Sequence, residues 1–440
     1  MAQIFSKLRL KNFSGYQDTG SLEFSNLNLF LGPNSAGKSS LLHTFPLLRQ
    51  TFEDPNPENR LITDGTLVQL GSFSDLLFKH DLKLSLGIEM TLGRDAFIRL
   101  MPRQYPREYM PDSFSLEFAA TQRVRRVYLK NFRYFTEGGR DFVSGSFSTL
   151  GDLKSWKLKD AAPERGMSLS FFHFLPQPSL GSRSPRRLPD ATMQLFDSLW
   201  MLRQVFGNVF GSVIHLQPIR TPIKSDYRVT GESPTSVGAT GENLLGVLYR
   251  DQRRAKGSRK NLLGSLNQWL DAKFNLVRDV QLEALTKSRT IFALTGRDSK
   301  TGADVNLASV GFGVSQVAPV IVQGFLSPPQ SCLVIEQPEI HLHPGAQAEL
   351  GDLFIEFSET GKQLFVETHS QYLLFRIQRR IAEGKFDASK LRVFFVSRTS
   401  SGSQIEPLHM DERGRISNWP EGFFEEGYQE TAATAEALAR

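Results

Sequence analysis

Leu29-Phe30-Leu31-Gly32-Pro33-Asn34-Ser35-Ala36-Gly37-Lys38-Ser39-Ser40 runs from an apolar strand, through a glycine-bounded turn, into an apolar helix carrying Leu41, Leu42 and Phe45. Residues 32–39 fit the spacing G-x-x-x-x-G-K-[ST], and the flanking strand and helix are the context that separates a phosphate loop from a chance Gly-rich turn. Glycines allow bare backbone N–H groups to close around phosphate oxygens. A helix starting near Lys38 turns its positive end toward the same anion. The cradle is therefore Asn34, Ser35, Ala36, Gly37, Lys38, Ser39 and Ser40, with Lys38 reaching the β- and γ-phosphates of ATP and Ser39 binding Mg²⁺.

Working outward, the 440 residues suit two domains or one domain with a large insertion. Apolar residues make up 40% and charged residues 22%, the balance of an ordinary globular chain, and 34 phenylalanines can furnish a large core. The net charge of +6 permits acidic partners without demanding them. A single cysteine, Cys332, excludes an intrachain disulfide and points to the cytoplasm. The start lacks the basic and apolar regions of a signal peptide, and no apolar run is long enough to span a membrane.

Alternation of Ile4, Leu8, Leu10 and Phe13, then of residues 82–135, predicts strands of an antiparallel sheet. Residues 136–190, rich in Gly, Ser and Pro, read as irregular, and residues 191–213 and 242–277 read as helical. An α/β pattern returns from 305. The expected organisation is an N-terminal β subdomain with the phosphate loop (1–135), an inserted, largely helical lobe (136–304), the second half of an ATPase head (305–400) and a short C-terminal module (401–440). No sustained heptad or internal repeat is present.

A second apolar strand, Cys332-Leu333-Val334-Ile335, delivers Glu336-Gln337-Pro338-Glu339. A carboxylate at the end of such a strand holds the Mg²⁺ water shell beside a phosphate loop, which is the role expected of Glu336. Gln337 cannot take a proton from water at neutral pH, so Glu339 is the alternative general base. A third strand, Leu364-Phe365-Val366, leads to His369, placed to sense a γ-phosphate.

These pieces, in this order, resemble the ABC-type ATPases of the SMC, RecF and overcoming-lysogenization-defect (OLD) group. The closest resemblance is to bacterial AAA-family ATPases with a short uncharacterised C-terminal module. Three segments carry it: Leu216-Gln217-Pro218-Ile219-Arg220 with Val237-Gly238 and Gly241-Glu242; Val310-Gly311-Phe312-Gly313-Val314-Ser315-Gln316 with Glu336 to Pro344; and Gly414-Arg415-Ile416 with Trp419 to Phe424. The resemblance implies an α/β ABC ATPase head, a P-loop NTPase fold, with an N-terminal antiparallel β subdomain and an inserted helical lobe. It implies a homodimer, open to higher oligomers, that sandwiches ATP. There Gly311, Gly313, Ser315 and Gln316 are the signature that caps the partner's γ-phosphate. The usual Ser-Gly-Gly order is not kept, and Pro319 needs an early-turn position. Gln69 is the candidate Gln-loop residue at the metal. Gln337 in place of the usual glutamate implies slow turnover. His341-x-His343 reads as the D-loop at the dimer seam in preference to a metal pair, since no third ligand is evident nearby.

The function implied is a nucleotide-driven dimeric switch or scaffold controlling a partner effector, in bacterial anti-phage defence. The alternatives are a RecF-like ATP-dependent DNA clamp and an assembly protein that binds ATP for structure alone. Basic clusters at Arg123–Arg126, at Arg183, Arg186 and Arg187, and between Arg250 and Lys260 would serve the clamp, though no nucleic-acid motif accompanies them. No D-x-D metal pair follows residue 390, so no nuclease activity is expected. The absence of an apolar span argues against a transporter, and the absence of heptads against long coiled-coil arms.

Overall fold

The computed structural model of the chain describes residues 3–94, 111–121, 126–136, 138–148, 153–158, 167–180, 190–229, 231, 234–254 and 260–420. Strands β1 (Phe5–Phe13), β2 (Tyr16–Asp18) and β3 (Leu22–Glu23) open an antiparallel sheet. Strand β4 (Leu27–Leu31) leaves it and runs into the phosphate loop, α1 (Lys38–Leu42) and α2 (Thr44–Glu53). The chain then returns to the first sheet as β5 (Leu86–Leu92), β6 (Ser113–Ala120), β7 (Val127–Phe135), β8 (Asp141–Phe147) and β9 (Leu153–Leu158). A hairpin, β10 (Met167–Phe172) and β11 (Leu175–Leu180), precedes α3 (Asp190–Gly211) and β12 (Val213–Leu216). Next come β13 (Tyr227–Arg228), α4 (Leu244–Arg253), α5 (Leu262–Gln268), β14 (Val277–Ala284), β15 (Ile291–Asp298) and β16 (Asp304–Asn306). The last part holds α6 (Phe312–Leu326), β17 (Cys332–Glu336), α7 (Pro344–Glu359), β18 (Gln363–Glu367), α8 (Gln371–Ala382), β19 (Leu391–Thr399) and β20 (Gly402–Leu408).

The central sheet has the order β12-β17-β18-β4-β19-β20. All pairs are parallel except the β19-β20 edge. Side chains alternate across it. On β4, Leu27, Leu29 and Leu31 enter one core and Phe30 the other; on β18, Leu364 and Val366 oppose Phe365. Both faces are covered, which is why these strands are continuously apolar. On the Phe30 side, Phe5, Phe24, Phe30, Phe45, Phe365 and Phe394 form one aromatic cluster, with ring centroids 4.4 Å apart for Phe45–Phe365 and 4.8 Å for Phe24–Phe365. This cluster seats the first sheet and α2 on the central sheet. Gln363 adds a polar seam: its amide accepts from Ile4 N (3.0 Å) and Phe5 N (2.9 Å) and donates to Phe5 O (2.7 Å) and Ser25 O (2.9 Å).

The structure corrects three expectations. Residues 136–190 hold four strands among the described residues, β8 to β11, and Gly145 within them marks close packing rather than a break. A Cβ on Gly145 would lie 2.5 Å from Ser155 O and 2.7 Å from the Phe132 ring. The inserted lobe is consequently mixed in character, and the 135/136 boundary falls between β7 and β8 of one continuous sheet. Pro319 sits in the interior of α6, buried, with its ring where a Cβ on Gly241 would fall, at 2.5 Å. Gly241 makes the room.

Candidate functional site

Glu336, Glu367 and Phe30 share one register row, so β17, β18 and β4 end together. Parallel strands that stop side by side put their following loops in one crevice, the usual ligand position of open α/β sheets. The phosphate loop, the 336–343 segment and the 367–370 segment meet there.

The loop's shape depends on glycine at two points. Gly32 has φ +138°, and a Cβ would lie 2.0 Å from Val396 O; Gly37 has φ +111°. Pro33, Asn34 and Ser35 are exposed, Ala36 is buried, and Ser39 and Ser40 are half-buried on the first turn of α1. Neighbouring elements brace the loop: Tyr16 donates to Gly37 O (3.0 Å), Ser14 to Ser40 Oγ (3.2 Å), and Arg398 to Ser35 O (3.3 Å). Lys38 is buried and donates Nζ to Gly32 O (3.0 Å) and Pro33 O (2.8 Å), with Glu367 3.9 Å away. Burial lowers its pKa against the pull of Glu367 and Glu339.

Carboxylates surround that ammonium. Burial raises the Glu336 carboxyl, but hydrogen bonds from His215 and His43 prevail and hold it down at about 2. Burial, reinforced by the charge of Glu336, pushes Glu367 up to about 7 despite a hydrogen bond from Ser39, and its Oε2 has no partner. Glu339 is raised by burial as well; its Oε1 accepts from His369 N (2.6 Å) and its Oε2 is unpartnered. His369 is pushed down to about 4 by burial and by Lys38, so it is neutral at physiological pH, with an unpartnered Nε2. Gln337 holds a left-handed φ of 43°, pinned by its N–H on Glu367 O (2.8 Å).

Gln69 is exposed and lines a cleft of about 600 Å³ together with Ser39, His43, His215, Gln217 and Glu336. The metal-site expectation of Ser39, Gln69 and Glu336 thus converges on one wall. A hydroxyl, an amide and carboxylates, with an orphan oxygen on nearby Glu367, form a hard-oxygen donor set that fits Mg²⁺.

The 311–316 turn divides into two parts. Gly311 is exposed at the N-cap of α6, Phe312 is 59% exposed, and Gly313 packs on the His341 carbonyl. Ser315 and Gln316 face inward: Ser315 Oγ accepts from Ile223 N (3.1 Å), and Gln316 exchanges two hydrogen bonds with the Arg220 backbone (3.3 and 3.1 Å). In this structure their side chains brace the 220–223 segment, and the open end of the helix is formed by Gly311 to Gly313. The 339–343 segment lies against it, with the Phe312 and His341 rings 5.6 Å apart. His343 caps α7, its Nδ1 accepting from Gly345 N (3.2 Å).

Four contributors escaped sequence reasoning. Glu367 ends an apolar strand just as Glu336 does, a signal that could have been used. Arg220 is buried, donating to Glu336 O (2.9 Å), its Nε and Nη1 unpartnered and its pKa lowered by burial to about 10. His215 reaches Glu336 because β12 pairs with β17, and His43 because it follows α1 directly; neither has a local sequence signal. Of the basic clusters, Arg123, Arg125, Arg183, Arg186, Arg187, Lys256 and Arg259 lie outside the described residues. Lys260 caps Leu326 O, Arg253 lies over Tyr249, and Arg126 pairs with Glu58 at 3.8 Å.

A phosphate loop, the strand-end carboxylate of Glu336 and His369 on adjacent parallel strands, beside an antiparallel N-terminal sheet, have the arrangement of a P-loop nucleotide-binding fold. Residues 243–374 match the AAA-domain family described under the AbiEii toxin of type IV toxin–antitoxin systems. Residues 387–433 match a family described as a protein of unknown function, DUF3696. No curated protein matches the chain. Among solved structures, an SMC head bound to the C-terminal winged-helix domain of ScpA is 12% identical, with 93% of this chain and 98% of that one covered and a TM-score of 0.47. The SMC head domain from Thermotoga maritima is 12% identical, with 92% and 99% covered and a TM-score of 0.41. An SMC head with an extended coiled coil, bound to the C-terminal domain of ScpA and derived from Pyrococcus furiosus, is 12% identical, with 99% and 100% covered and a TM-score of 0.45. The family likeness is thus confined to the AAA-domain segment 243–374 and to the 387–433 segment. Among the described residues no helix is long and apolar enough to cross a membrane.

Proposed function

We propose that this ATPase binds ATP with Mg²⁺ and acts as a dimeric switch whose nucleotide state controls a partner effector protein, in bacterial anti-phage defence. The observation that carries the reading is the meeting of Lys38, Glu336, Glu339, Glu367 and His369 at the common end of β4, β17 and β18. Lys38 would exchange the carbonyls of its own loop for phosphate oxygens. Ser39 and Glu336 would hold Mg²⁺, which neutralises charge on the β- and γ-phosphates. Neutral His369, with a free Nε2, can donate to a γ-phosphate.

Gln337 cannot serve as the base, and Glu339, with an unpartnered oxygen and a raised pKa, is the group suited to accept a proton from water. With an amide at position 337 where the strand-end base is expected, turnover is slow, which suits a switch better than a motor. The exposed Gly311–Phe312 end of α6, beside the 339–343 segment, supports a second copy covering the nucleotide in trans. The family description naming a toxin–antitoxin system supports a defence role.

The test is calorimetry with ATP and Mg²⁺ on the wild type and on Lys38→Ala, followed by mass measurement in both nucleotide states. Saturable binding lost in the variant, with a doubled mass only for ATP-bound wild type, is expected. Equal ATP uptake by both proteins would refute the site; an unchanged mass would refute the sandwich.

A further inference from the structure

We propose that His43, His215 and Glu336 form a binding site for a first-row transition-metal dication of the Zn²⁺ class, on the wall of the nucleotide cleft. The Nε2 atoms of His43 and His215 lie 3.0 Å and 2.5 Å from the same Glu336 Oε1. All three ligand atoms fall within 4.8 Å of one another. A tetrahedral ion with bonds of about 2.0–2.1 Å needs ligand atoms roughly 3.3 Å apart, so a small opening of the triad admits it. The two imidazole rings stand 5.6 Å apart at their centroids with their planes inclined by 75°.

Hydrogen bonding at His215 argues for a cation. Its Nδ1 faces Leu67 O at 3.3 Å and its Nε2 faces Glu336 Oε1, both acceptors. A neutral imidazole has one N–H and satisfies only one of them. With Nε2–H donated to Glu336, the Nδ1 lone pair is left facing the carbonyl; a metal ion on Nε2 frees the ring to give Nδ1–H to Leu67 O instead. Backbone carbonyls are frequent outer partners of metal-bound histidines for this reason.

The fold builds the triad deliberately. His215 sits on β12, opposite Val334 of β17, two residues before Glu336. His43 joins α1 to α2 and is 22% exposed at the side chain, leaving an entry from the cleft that Ser39 and Gln69 share. The remaining coordination positions face that cleft and suit water or a phosphate oxygen. Imidazole nitrogens favour Zn²⁺ or Co²⁺ over Mg²⁺, so the set differs in kind from an oxygen-only Mg²⁺ site. The His341–His343 pair has no third ligand among the described residues, and its His343 nitrogen already caps α7.

The proposal is tested without nucleotide, so its failure is separate from that of ATP binding. Untagged, chelator-stripped full-length chain is titrated with Zn²⁺ in excess Mg²⁺ by calorimetry, and with Co²⁺ by visible absorption. One equivalent of Zn²⁺ and a Co²⁺ ligand-field band are expected. His43→Gln and Glu336→Gln should each weaken Zn²⁺ binding by roughly 100-fold or more, with unchanged circular dichroism. The partly exposed His43 keeps the test open if a His215 variant fails to fold. His341→Ala should leave binding intact. No saturable uptake over Mg²⁺, uptake unaltered in folded His43→Gln, or loss only in His341→Ala would overturn the proposal.

Discussion

Replacing Gln363 by Met removes the polar seam between the two sheets while nearly conserving volume. In the folded chain the Gln363 amide behaves like a strand partner for Phe5, accepting from its N–H and donating to its carbonyl, and it also receives Ile4 N. Ser25 O retains Asn28 Nδ2 at 2.8 Å and is spared. Three buried backbone groups therefore lose their partners. At about 1–3 kcal/mol for each unsatisfied group, offset by the better transfer of a thioether into the core, the net loss is about 3–5 kcal/mol. Urea unfolding followed by circular dichroism should show a lower midpoint with an unchanged slope. A loss below about 1 kcal/mol would mean that water or a shifted strand replaces the amide, and the seam would not be a determinant of docking.

The remaining predictions are as follows. Gln337→Glu should raise steady-state phosphate release by about 100-fold, and Glu339→Gln should abolish the slow turnover of the wild type; unchanged rates in both would remove the proposed base assignment. Tyr16→Phe should cost about 1 kcal/mol and weaken nucleotide affinity about fivefold, measured by calorimetry, because Gly37 O loses the shorter of its two donors and keeps only Leu41 N. Lys362 is 4% exposed and lowered by burial, then by the charge of Lys260, to about 8 from 10.5. The folded state therefore sheds its proton first, and the penalty for the buried charge is full below pH 8 and fades up to about pH 10.5. Lys362→Met should stabilise at pH 7 by about 1–2 kcal/mol and flatten the rise in stability from pH 8 to 10; identical urea midpoints at pH 7 and 10 in the wild type would refute this.

The phosphate loop, the strand before it and the helix after it were legible because each is a local pattern: apolar run, glycines with the dihedral freedom the turn needs, lysine at fixed spacing. The same holds for Glu336 at the end of β17 and His369 after β18. The strands of the inserted segment have no clear local signal, because Gly145 and the prolines of β11 read as breakers. In the folded chain Gly145 sits where Ser155 O and the Phe132 ring come close, and the prolines of β11 lie opposite Leu169 and Phe171 of β10. Ser315 and Gln316 looked like outward signature residues, yet their side chains turn toward the 220–223 segment, since helix phase relative to a distant loop has no local signature.

The sequence alone determined the nucleotide-fold class and the residues that end each core strand, because strand, turn and helix signals act over a few residues. Only the tertiary structure decided which of those ends stand side by side and which charges share a desolvated space. Long-range pairing, β12 beside β17 and β18 beside β4, brings His215 to Glu336 and Glu367 to Lys38. Their pKa shifts and orphaned atoms follow from that burial, and burial is a property of the assembled sheets rather than of any one segment.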